Sequence, residues 1–133
     1  MKRICLDTSA YSNFMRGSPS AVAAISDAEW IGVPSVVLGE LRTGFLLGAH
    51  AEKNEAELER FLLHPLVHIL DVDDAASRIY AEIIAALRRS GTPLPTNDIW
   101  VASVAAREGA SVVTYDEHFR KIHRIGSHIL ATN

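Results

Sequence analysis

Short apolar runs rich in β-branched residues recur along the chain, separated by longer stretches whose apolar positions repeat every three or four residues. The short runs predict strands at Arg3–Leu6, Trp30–Val33, Leu66–Leu70 and Ala110–Thr114, with a weaker one at His128–Leu130. Between them, Ser18 and Pro19 read as a cap and first helical residue opening a helix to about Ala28. Ser35 is expected to cap a helix that reaches Leu47 and stops at Gly48, and Glu52–Leu63 is charged and helical. From Asp74 to Ser90 one face carries Ile79, Tyr80, Ile83, Ile84 and Leu87, while Arg78, Glu82, Arg88 and Arg89 fall on the other. Thr96 is expected to cap Asn97–Glu108, with Gly109 as its stop. Strands alternating with helices imply an α/β fold, a central parallel sheet of four to five strands flanked by helices on both faces. In such sheets the ligand crevice opens beyond the carboxyl ends of the strands.

Two strands deliver an acid at that end. Ile4-Cys5-Leu6 runs into Asp7, and Val112-Val113-Thr114 is followed two residues later by Asp116. Each has an ordinary explanation, Asp7 as a helix cap and Asp116 as a turn former. Asp98 lies in the first turn of a helix that is apolar nearly all round, where the dipole favours an anion. On a helical wheel Glu40 falls among Val36, Val37, Gly44 and Leu47, an apolar face on which an unpaired carboxylate is costly. Arg42, the nearest arginine in sequence, sits roughly 160–200° away round that wheel and is a poor partner.

The totals bound what these acids belong to. The chain has 133 residues, 48% hydrophobic and 22% charged, which suits a single globular domain spanning 1–133. A net charge of −3 gives no bulk attraction for nucleic acid, so such binding would need a local basic patch. One cysteine, in an apolar run, fits a reducing cytoplasm, and no run approaches the roughly 18 apolar residues that span a bilayer.

If Asp7, Glu40, Asp98 and Asp116 converge, each pair at ~4 Å repels by about 4 kcal/mol at an effective dielectric of 20. A divalent cation resolves that conflict. All-oxygen ligands without paired cysteines point to Mg²⁺ or Mn²⁺ rather than zinc. The six histidines show no metal-ligand spacing.

The segments "LDTSA" at Asp7, "SVVLGEL" at Glu40, "PTNDIWVA" at Asp98 and "VVTYDEHF" at Asp116 together resemble the PIN-domain ribonucleases, in particular the VapC-type toxins of bacterial toxin–antitoxin pairs. The family's usual Asn before the final Asp is replaced here by Tyr115. The resemblance implies a Rossmann-like PIN domain with an acidic pocket, and Mg²⁺- or Mn²⁺-dependent endonucleolytic cleavage of RNA. It also implies a VapB-type antitoxin partner and a homodimer.

On this reading Asp7 and Asp98 ligate the metal, Asp116 completes the site directly or through water, and Glu40 holds a water or a second ion. Thr114 is expected to fix a carboxylate or a water, with Asn97 at the helix start as a further support. Arg16, and Arg120 in a cluster with Lys121 and Arg124 after the last acid, are the candidates for holding RNA phosphates. Leu38, Leu41, Phe45 and Leu46 are the candidates for an antitoxin groove. A PIN-like nuclease of RNA maturation would share these features. A receiver-type signalling module would want paired acids after the first strand and a lysine after the last, and a haloacid-dehalogenase-like phosphatase needs a second acid at Ser9.

Overall fold

The computed structural model describes residues 2–132. Strands β1 (Arg3–Leu6), β2 (Trp30–Pro34), β3 (Val67–Leu70), β4 (Ser111–Thr114) and β5 (Ser127–Ile129) form one sheet in the order β3-β2-β1-β4-β5. Every pairing is parallel. Parallel strands covered on both faces must be apolar throughout, and Ile4, Cys5, Leu6, Val33, Val112 and Val113 are fully buried. The weak fifth strand forms one residue earlier than the sequence pattern suggests.

The chain builds outward from β1 to β3 on one side, then returns to add β4 and β5 on the other. The strand order therefore reverses between β1 and β4, where such a sheet opens a crevice at its carboxyl edge. The register pairs Leu6 with Val113, so Asp7 and Thr114 come level with each other at that edge.

Six α-helices connect the strands: α1 (Thr8–Met15), α2 (Pro19–Asp27), α3 (Ser35–Leu47), α4 (Ala51–Leu62), α5 (Asp74–Arg89) and α6 (Thr96–Glu108). Asp7 caps α1, its Oδ1 accepting the Ala10 N–H at 2.9 Å, and Asp73 caps α5 in the same way. The expected caps at Ser35 and Thr96 are displaced. Pro34 and Pro95 already hold the extended conformation of a cap, so Ser35 and Thr96 become the first helical residues. Pro19 does open α2, but the Ser18 hydroxyl donates to Asn13 instead of capping. Gly109 ends α6 in the left-handed conformation, φ 64°, which a glycine adopts without strain. A 3₁₀ helix, Glu117–Lys121, follows Asp116 and has no counterpart in the sequence periodicity.

Helix α6 is buried on nearly every side, with Ile99, Val101, Ala102, Ser103, Val104 and Ala105 all inside. Its first turn is fixed at the sheet edge by that packing. Among the described residues no helix is long and apolar enough to cross a membrane.

Candidate active site

Asp7 is buried where β1 ends. Its Oδ1 accepts from the Ser9 hydroxyl at 2.8 Å as well as from Ala10, and its Oδ2 accepts from the Thr114 hydroxyl. Asp7 is thus both the helix cap and a wall of the crevice. Thr114, fully buried at the end of β4, also accepts the Asp116 backbone N–H at 2.9 Å. Ser9 accepts the Tyr115 N–H at 3.1 Å. Neutral hydroxyls therefore lock the two strand ends together and aim both carboxylates, with no cation involved.

Asp98 arrives from the first turn of α6. Burial pushes its pKa up to about 6, and the charges of Asp116, Asp7 and Glu40 push in the same direction, against a smaller opposing effect of His118. The Asp7 carboxyl is also raised, by burial first, although the bonds from Thr114, Ala10 and Ser9 act against it. Asp116 caps the 3₁₀ helix, its Oδ1 accepting the His118 N–H at 2.8 Å with the His118 ring nitrogen Nδ1 at 3.2 Å.

Glu40 reaches the same crevice for a reason other than the one the helical wheel suggested. It is exposed, because α3 buries Val37, Leu38 and Leu41 and turns Glu40 toward the crevice mouth. There it accepts from the Thr8 hydroxyl at 2.7 Å and from the Asn97 side-chain amide at 3.4 Å. Arg42, as its angle on the wheel implied, goes elsewhere and forms a forked pair with Glu55 of α4.

All four acids line one cavity of about 760 Å³, together with a fifth, Glu117, and with Thr8, Ser9, Tyr115 and His118. Among the described residues, no lysine or arginine lines it. The carboxylates share the cavity without closing on a single point: no three Asp, Glu, His or Cys side chains among the described residues form a ready-made metal cluster. The donors still suit a hard divalent cation, being all oxygen, mutually repelling and short of counter-charge.

Other expected residues lie elsewhere. Arg16 stands beyond the far end of α1, about 12 Å of helix from Asp7, and does not line the cavity. Arg120 is exposed and turned about 120° round the 3₁₀ helix from His118, again off the cavity. The expected antitoxin groove divides. Leu38 and Leu41 are core residues, whereas Phe45 and Leu46 line a surface cleft against Ala51 and Ala56 of α4, rimmed by Glu52, Glu59 and the Arg42–Glu55 pair. Sequence reasoning missed Thr8, Ser9, Glu117 and His118. The two hydroxyls directly after a strand-end acid were the available signal. His118 had none until the 3₁₀ turn appeared.

The chain with this doubly wound parallel sheet matches known proteins over nearly its whole length. The model of the family described as PIN domain matches residues 4–125. Ribonuclease VapC4 of Mycobacterium tuberculosis is 31% identical over 121 residues, covering 90% of each chain. In the crystal structure of VapBC2 from Rickettsia felis bound to a promoter DNA fragment, one chain superposes with a TM-score of 0.84 at 25% identity, over 96% of this chain and 98% of that one. VapBC-5 of Mycobacterium tuberculosis, a member of the VapBC family of toxin-antitoxin systems, gives a TM-score of 0.73 at 30% identity, over 96% and 97% of the two chains. The chain belongs to the PIN-domain family, and within it to the VapC type.

Proposed function

We propose that this protein is a divalent-cation-dependent endoribonuclease, the toxin of a VapBC-type pair, acting on RNA phosphodiesters in the cytoplasm. One observation carries the reading: five carboxylates, Asp7, Glu40, Asp98 and the adjacent Asp116 and Glu117, come from four separate segments to line one cavity that holds no lysine or arginine among the described residues. Left alone, that arrangement repels a phosphate.

Asp7, Asp98 and Asp116 would hold the cation, with Glu40 at the mouth supporting a water or a second ion. A bound Mg²⁺ or Mn²⁺ supplies charge neutralisation at the phosphate and a lowered pKa for a coordinated water. The chain's own contribution is orientation. Thr114 fixes Asp7 and the Asp116 backbone, Ser9 ties the two strand ends, and Thr8 with Asn97 steadies Glu40. The buried flank of α6 keeps Asp98 where the other charges raise its pKa, so a cation is favoured over an empty, fully ionised site.

The relatives whose names pair VapB with VapC support a VapB-type antitoxin as partner, and a homodimer is the assembly expected with it. The cleft at Phe45 and Leu46, with its acidic rim, suits an amphipathic segment carrying basic residues. A receiver-type module is disfavoured because no lysine among the described residues reaches the acids.

Mapped cleavage of cellular RNA tests the function. Wild type is expected to cut with Mg²⁺ or Mn²⁺ and to stop in chelator, while Asp7→Asn leaves no detectable cutting and an unchanged far-ultraviolet circular dichroism spectrum. Cutting by Asp7→Asn at the wild-type rate would end the assignment.

A further inference from the structure

A second cavity, of about 680 Å³, lies between the C-terminal half of α5 and the segment after the 3₁₀ helix. Its cations are Arg89, Lys121 and Arg124, set over an apolar floor of Ile83 and Leu87. Its one acid, Glu82, is taken up by Arg124 at 3.1 Å. Arg89 and Lys121 are exposed and form no ion pair with any described residue. Arginines in the last turn of a helix ordinarily offset its dipole, which accounts for Arg88 and Arg89. It does not account for Lys121 and Arg124, which come from a different segment and face the same space.

The 3₁₀ helix borders both this cavity and the carboxylate cavity. His118 lines the acidic one and Lys121 the basic one, and residues three apart in a 3₁₀ helix share a face about 6 Å apart. On the opposite wall Ser90 ends α5, and residues 91–95 connect it to the first turn of α6, which carries Asn97 and Asp98. A polyanion meets a chain of net charge −3 and an acidic reaction site, so its backbone needs cations immediately beside that site.

Resting on the ribonuclease reading, we propose that this cavity binds backbone phosphates of single-stranded RNA next to the scissile bond, with Arg89 and Lys121 as the principal contacts. The groove supplies affinity and register, and the acids supply chemistry. Arg16 and Arg120 take no part in it.

The test is fluorescence anisotropy of a labelled single-stranded RNA in chelator across a salt series, with wild type and the Arg89→Ala/Lys121→Ala double variant. The variant is expected to bind about tenfold more weakly at low salt, and its plot of log affinity against log salt should flatten by about 1.4, two lost contacts at ~0.7 each for a single strand. With Mg²⁺, its KM should rise while kcat holds. Lys53→Ala/Arg60→Ala, which removes the same charge from α4, outside both cavities, should behave as wild type. Lys121→Glu serves as a second variant should the double one melt early, and it should weaken binding further. Unchanged affinity and slope in an enzyme that still cleaves RNA would overturn the groove alone. A wild type that neither binds nor cuts RNA would overturn the function and the groove with it.

Discussion

Helix α6 has an acid in its first turn and a base in its last, about 13 Å apart along its axis, and the two ends are built on opposite electrostatic terms. At the far end Arg107, mostly buried, donates to the Asp71 carbonyl at 2.6 Å, to Asp73 at 2.9 Å and to Glu108 at 2.9 Å. The Ala76 N–H and then Arg107 hold the Asp73 carboxyl below its ordinary range. At the near end burial first, and then the charges of three other carboxylates, push Asp98 up. The residue type is the same; the partner differs. A carboxylate given an arginine contributes to stability. A group of carboxylates held only by hydroxyls and amides costs stability, and that cost marks where chemistry is expected.

The largest separation between the two ends should come from the hydroxyl scaffold. Thr114→Val keeps the shape of a fully buried side chain but removes the donor to Asp7 and the acceptor for the Asp116 N–H. Supporting residues of a metal site commonly contribute roughly 10- to 100-fold to affinity or activity. Cleavage rate against Mg²⁺ concentration should shift by that order, with the fold intact. An unchanged curve would mean the carboxylates need no such support.

Arg107→Ala attacks the other end and should have the complementary phenotype. Removing a mostly buried guanidinium with two ion pairs and a carbonyl contact should cost about 2 kcal/mol of stability in urea unfolding. Cleavage per folded molecule should not change. A variant that loses activity while keeping its stability would break the division of labour along α6.

Much of this was legible in the sequence, for a reason specific to parallel sheets. Strands buried on both faces are written as uninterrupted apolar runs, so an acid that stops such a run stands out, and Asp7 and Asp116 were visible on that ground. Asp98 was legible because the helix behind it is apolar all round. Glu40 was found by an argument that failed in its details. A helical wheel gives angles between residues but not which neighbour covers each face, and α3 leaves Glu40 in the open at the crevice mouth. The same blindness put Leu38 and Leu41 in a groove when they belong to the core. Arg120 was misplaced because nothing in the periodicity announced a 3₁₀ turn. The triple role of Arg107 depends on groups up to 36 residues away in the chain and could not be read locally. Tyr115, where the family usually has Asn, is tied through its hydroxyl to Ser20, which in turn donates to the Ala131 carbonyl. That ring is therefore anchored toward the chain's last strand instead of being loose in the site.

The finest test of the comparison is the sign of pH dependence, measured as urea midpoints in chelator. Asp98 has a folded pKa of about 6 against an ordinary 3.8. Between those values the folded protein keeps a proton that the unfolded chain has released, so this group makes stability fall as pH rises from about 4 to about 6. Asp73, with its folded pKa below 3.8, acts oppositely: its contribution is present above 3.8 and is lost only as pH drops through the lower folded value. The two ends of one helix thus titrate in separate windows and with opposite signs. Asp98→Asn should flatten the fall between pH 4 and 6, leaving a residue of it because Asp7 is raised as well and the site acids titrate together. Asp73→Asn should leave that window untouched. Mg²⁺ should reverse the slope in wild type, since a cation competes with the proton for the same oxygens and binds better as pH rises. If Asp98→Asn keeps the whole wild-type fall, burial and the neighbouring charges do not raise Asp98, and the contrast along α6 loses its physical basis.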